Sequence, residues 1–334
     1  MKNFEPIPDE IFSSWLYRQS VFDPQTNFNL DEVIESFTQS MQVRLGDFDF
    51  DAQDAFVLKS CRRLDLKPEM LAKFFTGEEV WRTPQFYRRS FCYECFGLHI
   101  REYGHPAILK CWSRPCYTIC DHHKIPMLDS SSKCGFKLDG AIELFKYYHM
   151  NRDHIRTCLV HSCQGRDGTL YLAKKAQAFL LQAEENAAMK LDHRSEATWF
   201  FCKLLLEVLL YPRYGFVYQF SGLPLYSGVD SPFRYRLHMG VLTANVIQRR
   251  AAIIILGYVM SLYDPGELEC MGMYLRDSPI SKIYLTGIYD IGRFSNVFVS
   301  SQALAILTRL QVCGGIIGKP SIIEFLAGFA KGRK

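Results

Sequence analysis

Apolar residues recur every three or four positions through most of the chain, and this spacing predicts a mainly α-helical protein. The stretch PDEIFSSWLYRQSVF opens with helix-start signals at Pro8 and Asp9, and its apolar residues then fall on one helical face. A second amphipathic stretch covers residues 29–41. Helical spacing resumes near residue 138, so we expect a C-terminal helical bundle.

The stretch DAQDAFVLKSCRRLDLKPEMLAKFF is interrupted at Pro68. Because proline is tolerated in the first turn of a helix, one helix is expected to end before Pro68 and another to begin there. Two short helices joined by a tight turn have the outline of a helix-turn-helix, which occurs in DNA-binding proteins and in plain packing units alike. Basic residues near this turn and before residue 92 are candidates for nucleic-acid contact, with an ordinary solvated face as the alternative. The candidates are Arg62, Arg63, Lys67, Lys73, Arg82, Arg88 and Arg89.

Residues 86–136 lack a helical period. Cys, His, Tyr, Trp and Pro crowd together there, as in a small metal-held insertion with little core of its own. Three domains are therefore predicted: an N-terminal helix-turn-helix-like region (1–85), a zinc-ribbon or zinc-finger module (86–136) and a C-terminal helical domain (137–334). Within the last domain, the aromatic, Gly- and Pro-rich stretch 211–238 is predicted to be a long ordered loop.

Charge is distributed unevenly along the chain. The first 58 residues carry eleven acidic and three basic side chains, or about −8, while the whole chain has a net charge of +4, which leaves about +12 for the remainder. An acidic head on a basic body indicates separate partner surfaces, although solvated faces give the same pattern. Within the head, the stretch GDFDFDAQD (46–54) is interpreted as a loop with its aromatic residues turned inward, not as a catalytic carboxylate pair.

The sequence begins without an apolar leader, and its most apolar run, AAIIILGYVMSLY (251–263), is too short to cross a bilayer and predicts a buried helix. Twelve cysteines in such a chain favour reduced thiols, some of them bound to metal, over a disulfide framework. We therefore expect a cytoplasmic protein that does not enter a membrane.

Two short motifs supply metal ligands. Cys92 and Cys95 form a Cys-x2-Cys pair, and Cys120 and His123 form a Cys-x2-His pair in which His122 is the competing imidazole. Thiolate and imidazole are the ligands that zinc prefers, and four of them complete a tetrahedron without an open position for water. The pattern predicts a structural zinc ion, with ordinary reduced cysteines as the alternative. A His-Glu-x-x-His peptidase motif is absent from the sequence.

The order CYEC, Trp112, CDHH, SSSKCG resembles the zinc module of the TniQ/TnsD family of transposon target-selection proteins. The N-terminal PDEIFSSWLYR is similar to the opening phrase of that family, P-x-E-S-x-x-S-W-x-x-R. The matching positions are Pro8, Glu10, Ser14, Trp15 and Arg18. The segment LKSCRRLDLKPEMLAKF also looks like the helical segment before the family's zinc module, so the resemblance covers roughly residues 6–136.

The chain departs from the family pattern at one position. The last cysteine pair of the family falls at 131 and 134, where this chain has Ser131 and Cys134. Cys134 is either a remnant or part of a second site with residues of the CLVHSC stretch. Those residues are Cys158, His161 and Cys163. Cys111 and Cys116 flank Trp112 and are interpreted as packing residues, while His99 and His105 are alternative ligands that the spacing does not favour.

The resemblance implies a protein that is not an enzyme. Family members select the insertion site and recruit an AAA+ regulator ATPase, which then licenses the transposase. Short members are adaptors that dock, often as homodimers, on an RNA-guided Cascade complex, where base pairing selects the target DNA. Longer members read DNA themselves. The modest net charge of +4 and the length of 334 residues favour the adaptor, with the stand-alone DNA binder as the alternative and an unrelated zinc-dependent hydrolase as the third possibility.

Overall fold

The structure is a computed structural model that describes residues 5–22, 47–75, 81–84, 87–129, 167–221, 232–269 and 287–332. These residues are mainly helical, as the sequence predicts. The chain divides into two compact units, the first formed by residues 1–114 with 128–161 and the second by residues 115–127 with 162–334. The domain boundaries predicted at 85/86 and 136/137, and the amphipathic stretch 29–41, lie outside the described residues.

The described residues of the first unit form short helices and one small antiparallel ribbon. Its helices are α1 (Phe12–Phe22), α2 (Ala55–Arg63), α3 (Pro68–Phe75) and α4 (Tyr93–Tyr103). A 3-10 turn covers Lys110–Ser113, and strand β1 (Ser90–Phe91) pairs with strand β2 (Leu128–Asp129). Asp54 starts α2 because its Oδ1 accepts a hydrogen bond from the Phe56 amide at 2.7 Å. The helix pair α2–α3, with Pro68 opening the second helix, agrees with the sequence prediction.

Aromatic side chains make up much of the core of the first unit. Phe12 meets Phe75 edge-on with 5.3 Å between ring centroids, and Trp15 lies 5.6 Å from the same ring. Phe48 and Phe56 join this cluster at 4.8 Å from each other. Tilted and edge-on rings of this kind combine a large buried apolar area with favourable electrostatics. The cluster fixes α1 against the α2–α3 pair.

The start of α1 is attached to the segment that precedes the 3-10 turn. The Ile11 amide donates to the Ile108 carbonyl at 3.0 Å, and the Ile108 amide donates to Ser14 Oγ at 3.1 Å. Ser14 Oγ in turn donates to Glu10 Oε1 at 2.6 Å. Ser14 and Glu10 are both buried, and these hydrogen bonds satisfy their side chains within the protein.

The described part of the second unit is a set of packed helices. They are α5 (Asp167–Ala188), α6 (His193–Leu209), α7 (Phe216–Ser221), α8 (Phe233–Thr243), α9 (Val246–Val259), α10 (Ile288–Ser295), α11 (Ser300–Ile317) and α12 (Pro320–Lys331). The stretch 211–238, predicted to be a loop, holds α7 and the first part of α8. The prediction was wrong at these residues. Phe216 and Val217 of α7 are fully buried, and a Cβ on Gly240 of α8 would lie 2.3 Å from the Leu210 carbonyl oxygen, so the glycine allows α8 to pack closely on the end of α6.

Local signals set the limits of the central helices of this unit. Asn245 and Gln248 form a reciprocal cap at the start of α9, with side chain to amide distances of 2.9 Å and 3.0 Å. The middle of α9 is completely enclosed, which confirms the buried helix predicted for the apolar run. Gly318, with φ at 70°, ends α11, and Pro320 opens α12.

No single helix among the described residues is both long and apolar enough to cross a membrane. The pair α8 and α9 reaches that length and apolarity only when the two are taken together, and the chain bends by 105° between them.

Candidate metal centre

The first ligand pair is placed by the junction of β1 and α4. Strand β1 pairs antiparallel with β2, Ser90 opposite Asp129 and Phe91 opposite Leu128. Cys92 follows as the residue that caps α4, with an extended backbone (φ −99°, ψ 119°) and its carbonyl accepting from the Phe96 amide at 3.0 Å. Cys95 then lies in the first helical turn. A helix N-terminus favours negative charge, so this location suits a thiolate.

The second ligand pair lies on a hairpin, residues 118–127. The Cys120 amide donates to the Ile125 carbonyl at 2.9 Å, and the Met127 amide donates to the Thr118 carbonyl at 2.9 Å. The tip closes at Lys124, whose backbone is left-handed with φ at 57° and whose amide donates to the Cys120 carbonyl at 2.8 Å. This tight turn brings the Cys120 and His123 side chains to one side.

The structure brings Cys92, Cys95, Cys120 and His123 together at one point. One ligand atom from each lies within 4.8 Å of the others, and the three cysteines are buried while His123 is partly buried. Cys120 Sγ and His123 Nδ1 are 3.7 Å apart. A tetrahedral zinc ion with ordinary bond lengths separates its ligands by about 3.5–3.8 Å. The donor set therefore fits a four-coordinate zinc ion, and the Cys120–His123 separation has the value expected for two of its ligands.

The turn geometry also supports the Cys120 sulfur directly. The His123 amide points at Cys120 Sγ from 3.4 Å, an N–H···S contact that stabilises a thiolate in a turn of this kind. His122, the competing imidazole of the sequence, is exposed, and its ring meets that of His123 edge-on at 4.5 Å. His99 Nδ1 accepts from the Ala107 amide at 3.3 Å, away from the four ligands.

Phe91 and Phe96, which flank the first ligand pair in the sequence, are part of a group of packed aromatic rings. Phe91 and Phe96 stack with 4.9 Å between centroids and 11° between planes, and Phe96 lies 5.4 Å from Trp112. Trp112 is thus the aromatic partner of the helix that carries Cys95. Its neighbours Cys111 and Cys116 are not among the clustered ligands. Ser131, Cys134, Cys158, His161 and Cys163 lie outside the described residues.

The hairpin is held from α5 by a residue that sequence reasoning missed. Gln177 is buried, and its amide group hydrogen-bonds to the backbone of Thr118 and Ile119. A single glutamine within an amphipathic helix gives no signal of such a role, because its partners are 59 and 58 residues away in sequence.

Four of the predicted nucleic-acid residues lie on the surface. Arg62 and Arg63 are exposed at the end of α2, Lys67 is exposed in the turn, and Lys73 is exposed on α3. Lys73 Nζ also lies 4.7 Å from the centroid of the Phe74 ring. These side chains have the exposure that contact with a phosphate backbone requires.

Arg88 and Arg89 are placed differently and need a correction. Arg88 is buried, where its guanidinium forms ion pairs with Asp47 and Asp49 and donates to the Thr83 carbonyl at 3.0 Å. Burial acts to lower the pKa of Arg88, but the two carboxylates outweigh it and hold that pKa above its ordinary value. Arg89 lies 3.8 Å from Asp129, and its side chain is 14% exposed. Neither guanidinium is presented to a nucleic acid.

No family model, no curated protein and no solved structure matches the chain.

Proposed function

We propose that the chain is a TniQ-like adaptor for target-site selection in DNA transposition, with a structural zinc ion and no catalytic activity of its own. In this role it links a target-recognition complex, an RNA-guided Cascade complex in the favoured case, to an AAA+ transposition regulator and its transposase. The observation that carries the proposal is the convergence of Cys92, Cys95, Cys120 and His123, the ligands of the resembled module, on one point.

The ligand set supports a structural metal. Three sulfurs and one nitrogen complete the tetrahedron that zinc adopts in structural sites. A zinc-dependent hydrolase, the third possibility raised by the sequence, needs a coordination position open to water or substrate. Four protein ligands leave no such position, so the donor set favours the structural role.

The N-terminal motif supports the same family. Glu10, Ser14 and Arg18 recur at four-residue intervals around the start of α1 and form one buried hydrogen-bonded group. Trp15, between them, enters the aromatic core. The resembled residues thus have a joint structural role, which explains why they occur together in one phrase. Residues that maintain one local fold are the expected content of a family motif outside an active site.

In the proposed role, the chain is a scaffold and the chemistry belongs to its partners. Base pairing between a guide RNA and DNA selects the target sequence, and a partner ATPase binds nucleotide. Glu10 and Asp49 of the acidic N-terminal head are buried in ion pairs, so the exposed carboxylates of Glu5 and Asp51 are the described candidates for contact with a basic partner. We also propose that the adaptor acts as a homodimer in the cytoplasm.

Direct DNA recognition is the second candidate. It is favoured by the exposure of Arg62, Arg63, Lys67 and Lys73 on the α2–α3 pair, which then acts as a helix-turn-helix. A stand-alone selector binds its site in a strongly salt-dependent, sequence-specific manner. An adaptor binds DNA only weakly by itself.

Affinity purification of the tagged chain from its own cells tests the proposal. The adaptor predicts co-purification of Cascade proteins, guide RNA and an AAA+ ATPase. A Cys92→Ser/Cys120→Ser variant, which loses two ligands, is the matched control and should lose these partners together with its zinc. Recovery of the chain with one chromosomal DNA sequence, and without guide RNA or Cascade proteins, would favour the stand-alone selector. Recovery with neither would contradict both.

A further inference from the structure

Gln177, at the middle of α5, makes a two-sided contact with the hairpin strand that leads into Cys120. Its Oε1 accepts from the Thr118 amide at 2.6 Å and from the Ile119 amide at 2.9 Å. Its Nε2 donates to the Ile119 carbonyl at 2.8 Å and lies 3.4 Å from Asp121 Oδ1. One side chain thus forms the hydrogen bonds with this edge of the hairpin that the backbone of a neighbouring strand would form.

The surroundings of this contact make it rigid. Gln177 is 1% exposed, and Thr118 and Ile119 are fully enclosed. A buried amide or backbone group without a partner is costly, so each of these groups depends on the others. Two further bonds support the same segment: Arg249 Nη1 donates to the Pro115 carbonyl at 3.2 Å, and the Asp121 amide donates to the Tyr117 hydroxyl at 2.9 Å.

The ligands follow directly on this fixed segment. Cys120 is the next residue after Ile119, and His123 is placed by the turn that Cys120 begins. The orientation of Cys120 Sγ therefore depends on the backbone that Gln177 holds. Residues that orient metal ligands from outside the coordination sphere commonly change metal affinity by about 10- to 100-fold when they are altered.

We propose that Gln177 is a positioning residue for the metal centre, which it preorganises by holding residues 118–121 in the geometry that Cys120 and His123 need. The relationship is reciprocal, because a metal that binds the hairpin in this geometry also stabilises the contact between the hairpin and α5. This inference rests on the proposed zinc binding. Part of the metal affinity is thereby assigned to α5, whose Gln177 follows Cys120 by 57 positions in the sequence.

Metal competition on the full chain tests this inference. Gln177→Leu removes the amide group at similar volume, and its matched control is Gln182→Leu on the same helix, where the glutamine is exposed and bonds only to Asn186 among the bonds described. We expect Gln177→Leu to raise the zinc dissociation constant roughly tenfold in chelator competition and Gln182→Leu to leave it unchanged. Gln177→Glu keeps the acceptor for both amides but places a carboxylate oxygen against the Ile119 carbonyl and Asp121, so we expect it to weaken zinc binding as well.

A second control separates positioning from general loss of stability. Ser295→Ala removes a buried hydrogen bond to the Ile291 carbonyl, 2.7 Å long, within α10. It should lower the thermal midpoint without changing zinc affinity. With cobalt as the probe, Gln177→Leu should also alter the visible absorption of the bound ion, whereas Ser295→Ala should not. Amide exchange at residues 118–121 should slow when zinc is added to the unaltered chain.

The outcomes distinguish the two proposals. If the unaltered chain binds no zinc, the proposed metal centre itself is wrong. If it binds zinc, and Gln177→Leu or Gln177→Glu binds zinc and cobalt with unchanged affinity and spectrum, the positioning role of Gln177 is overturned and the metal centre stands. If Gln177→Leu does not fold, Gln177→Glu decides between the two results by the same measurements.

Discussion

Arg18 donates two hydrogen bonds to Glu10, from Nε to Oε1 at 2.9 Å and from Nη2 to Oε2 at 2.6 Å. The two side chains are 2% and 0% exposed. A buried charge is tolerated when its partner and further hydrogen-bond donors replace water. For Glu10, these further donors are the Ser14 hydroxyl and the Ile7 amide. The ion pair therefore holds the beginning of α1 in place. Loss of either side chain would leave the other as an uncompensated buried charge.

We predict that Arg18→Met lowers the free energy of unfolding by about 3–5 kcal/mol, because Glu10 is then buried without its partner. Urea unfolding measures this change. Arg101→Met, at an exposed position on α4, is the control and should stay within about 0.5 kcal/mol of the original chain. A loss below about 1 kcal/mol for Arg18→Met would show that the pair does not stabilise the unit.

Arg88 and Arg62 should respond in opposite ways to the same substitution. Arg88→Met leaves Asp49, which is fully enclosed, without its guanidinium partner and should cost about 3–5 kcal/mol of stability. Arg62→Met changes only an exposed side chain and should cost less than about 0.5 kcal/mol. If the α2–α3 pair contacts DNA, Arg62→Met should weaken binding and reduce the salt slope by about one. Equal stability of the two variants would contradict the structural role of Arg88.

The metal centre is the part of the protein that the sequence predicted best. The two residues of each pair are three positions apart, so one turn of the chain presents both to the same ion. This local spacing was enough to predict that Cys92 and Cys95 would act together, and Cys120 and His123 likewise. The break at Pro68 located α3 for a similar reason, since proline acts on the backbone of its own turn. Local chemistry was sufficient in both cases.

Long-range partners could not be predicted. The sequence predicts Arg88 to be a surface cation, because the two carboxylates that pair with it lie 39 and 41 residues upstream. The acidic loop shows the same limit: Phe48 and Phe50 turn inward as predicted, but Asp49 between them is also buried, because Arg88 and the Ser13 amide meet it. Gln177 likewise acquires its role only when α5 meets the hairpin. Hydrophobic periodicity carries no information about such pairings.

Two glycines determine how closely α10 and α12 approach. A methyl group on Gly328 would lie 1.9 Å from the Tyr289 carbonyl oxygen, and one on Gly292 would lie 2.1 Å from that of Phe325. We predict that Gly328→Ala destabilises the second unit by about 1–3 kcal/mol, because the helices must separate. Gly315→Ala on α11, with open space around the added carbon, should instead stabilise by roughly 0.5–1 kcal/mol. Thermal unfolding of both variants measures these changes. If Gly328→Ala stabilised the protein, α10 and α12 could not approach as closely as described.

Removal of the metal by a chelator should increase the reactivity of some cysteines towards iodoacetamide and leave that of others unchanged. We predict that removal of the metal exposes Cys92, Cys95 and Cys120 to iodoacetamide, because their sulfurs lose the ion that they bind. Burial raises the pKa of Cys202 and of Cys313, so these thiols stay protonated and unreactive while the second unit is folded. Mass spectrometry of alkylated peptides, with and without chelator, measures the difference. Alkylation of the first three at the same rate before and after chelation would show that they hold no metal.

The most direct test of the structural zinc centre is X-ray absorption at the zinc edge, on protein purified without added metal. One zinc per chain is expected, with three sulfurs at about 2.3 Å and one nitrogen at about 2.0–2.1 Å. That result would establish four protein ligands and no position for water. A metal with an oxygen ligand, or with fewer than three sulfurs, would contradict the closed structural centre on which the adaptor proposal depends.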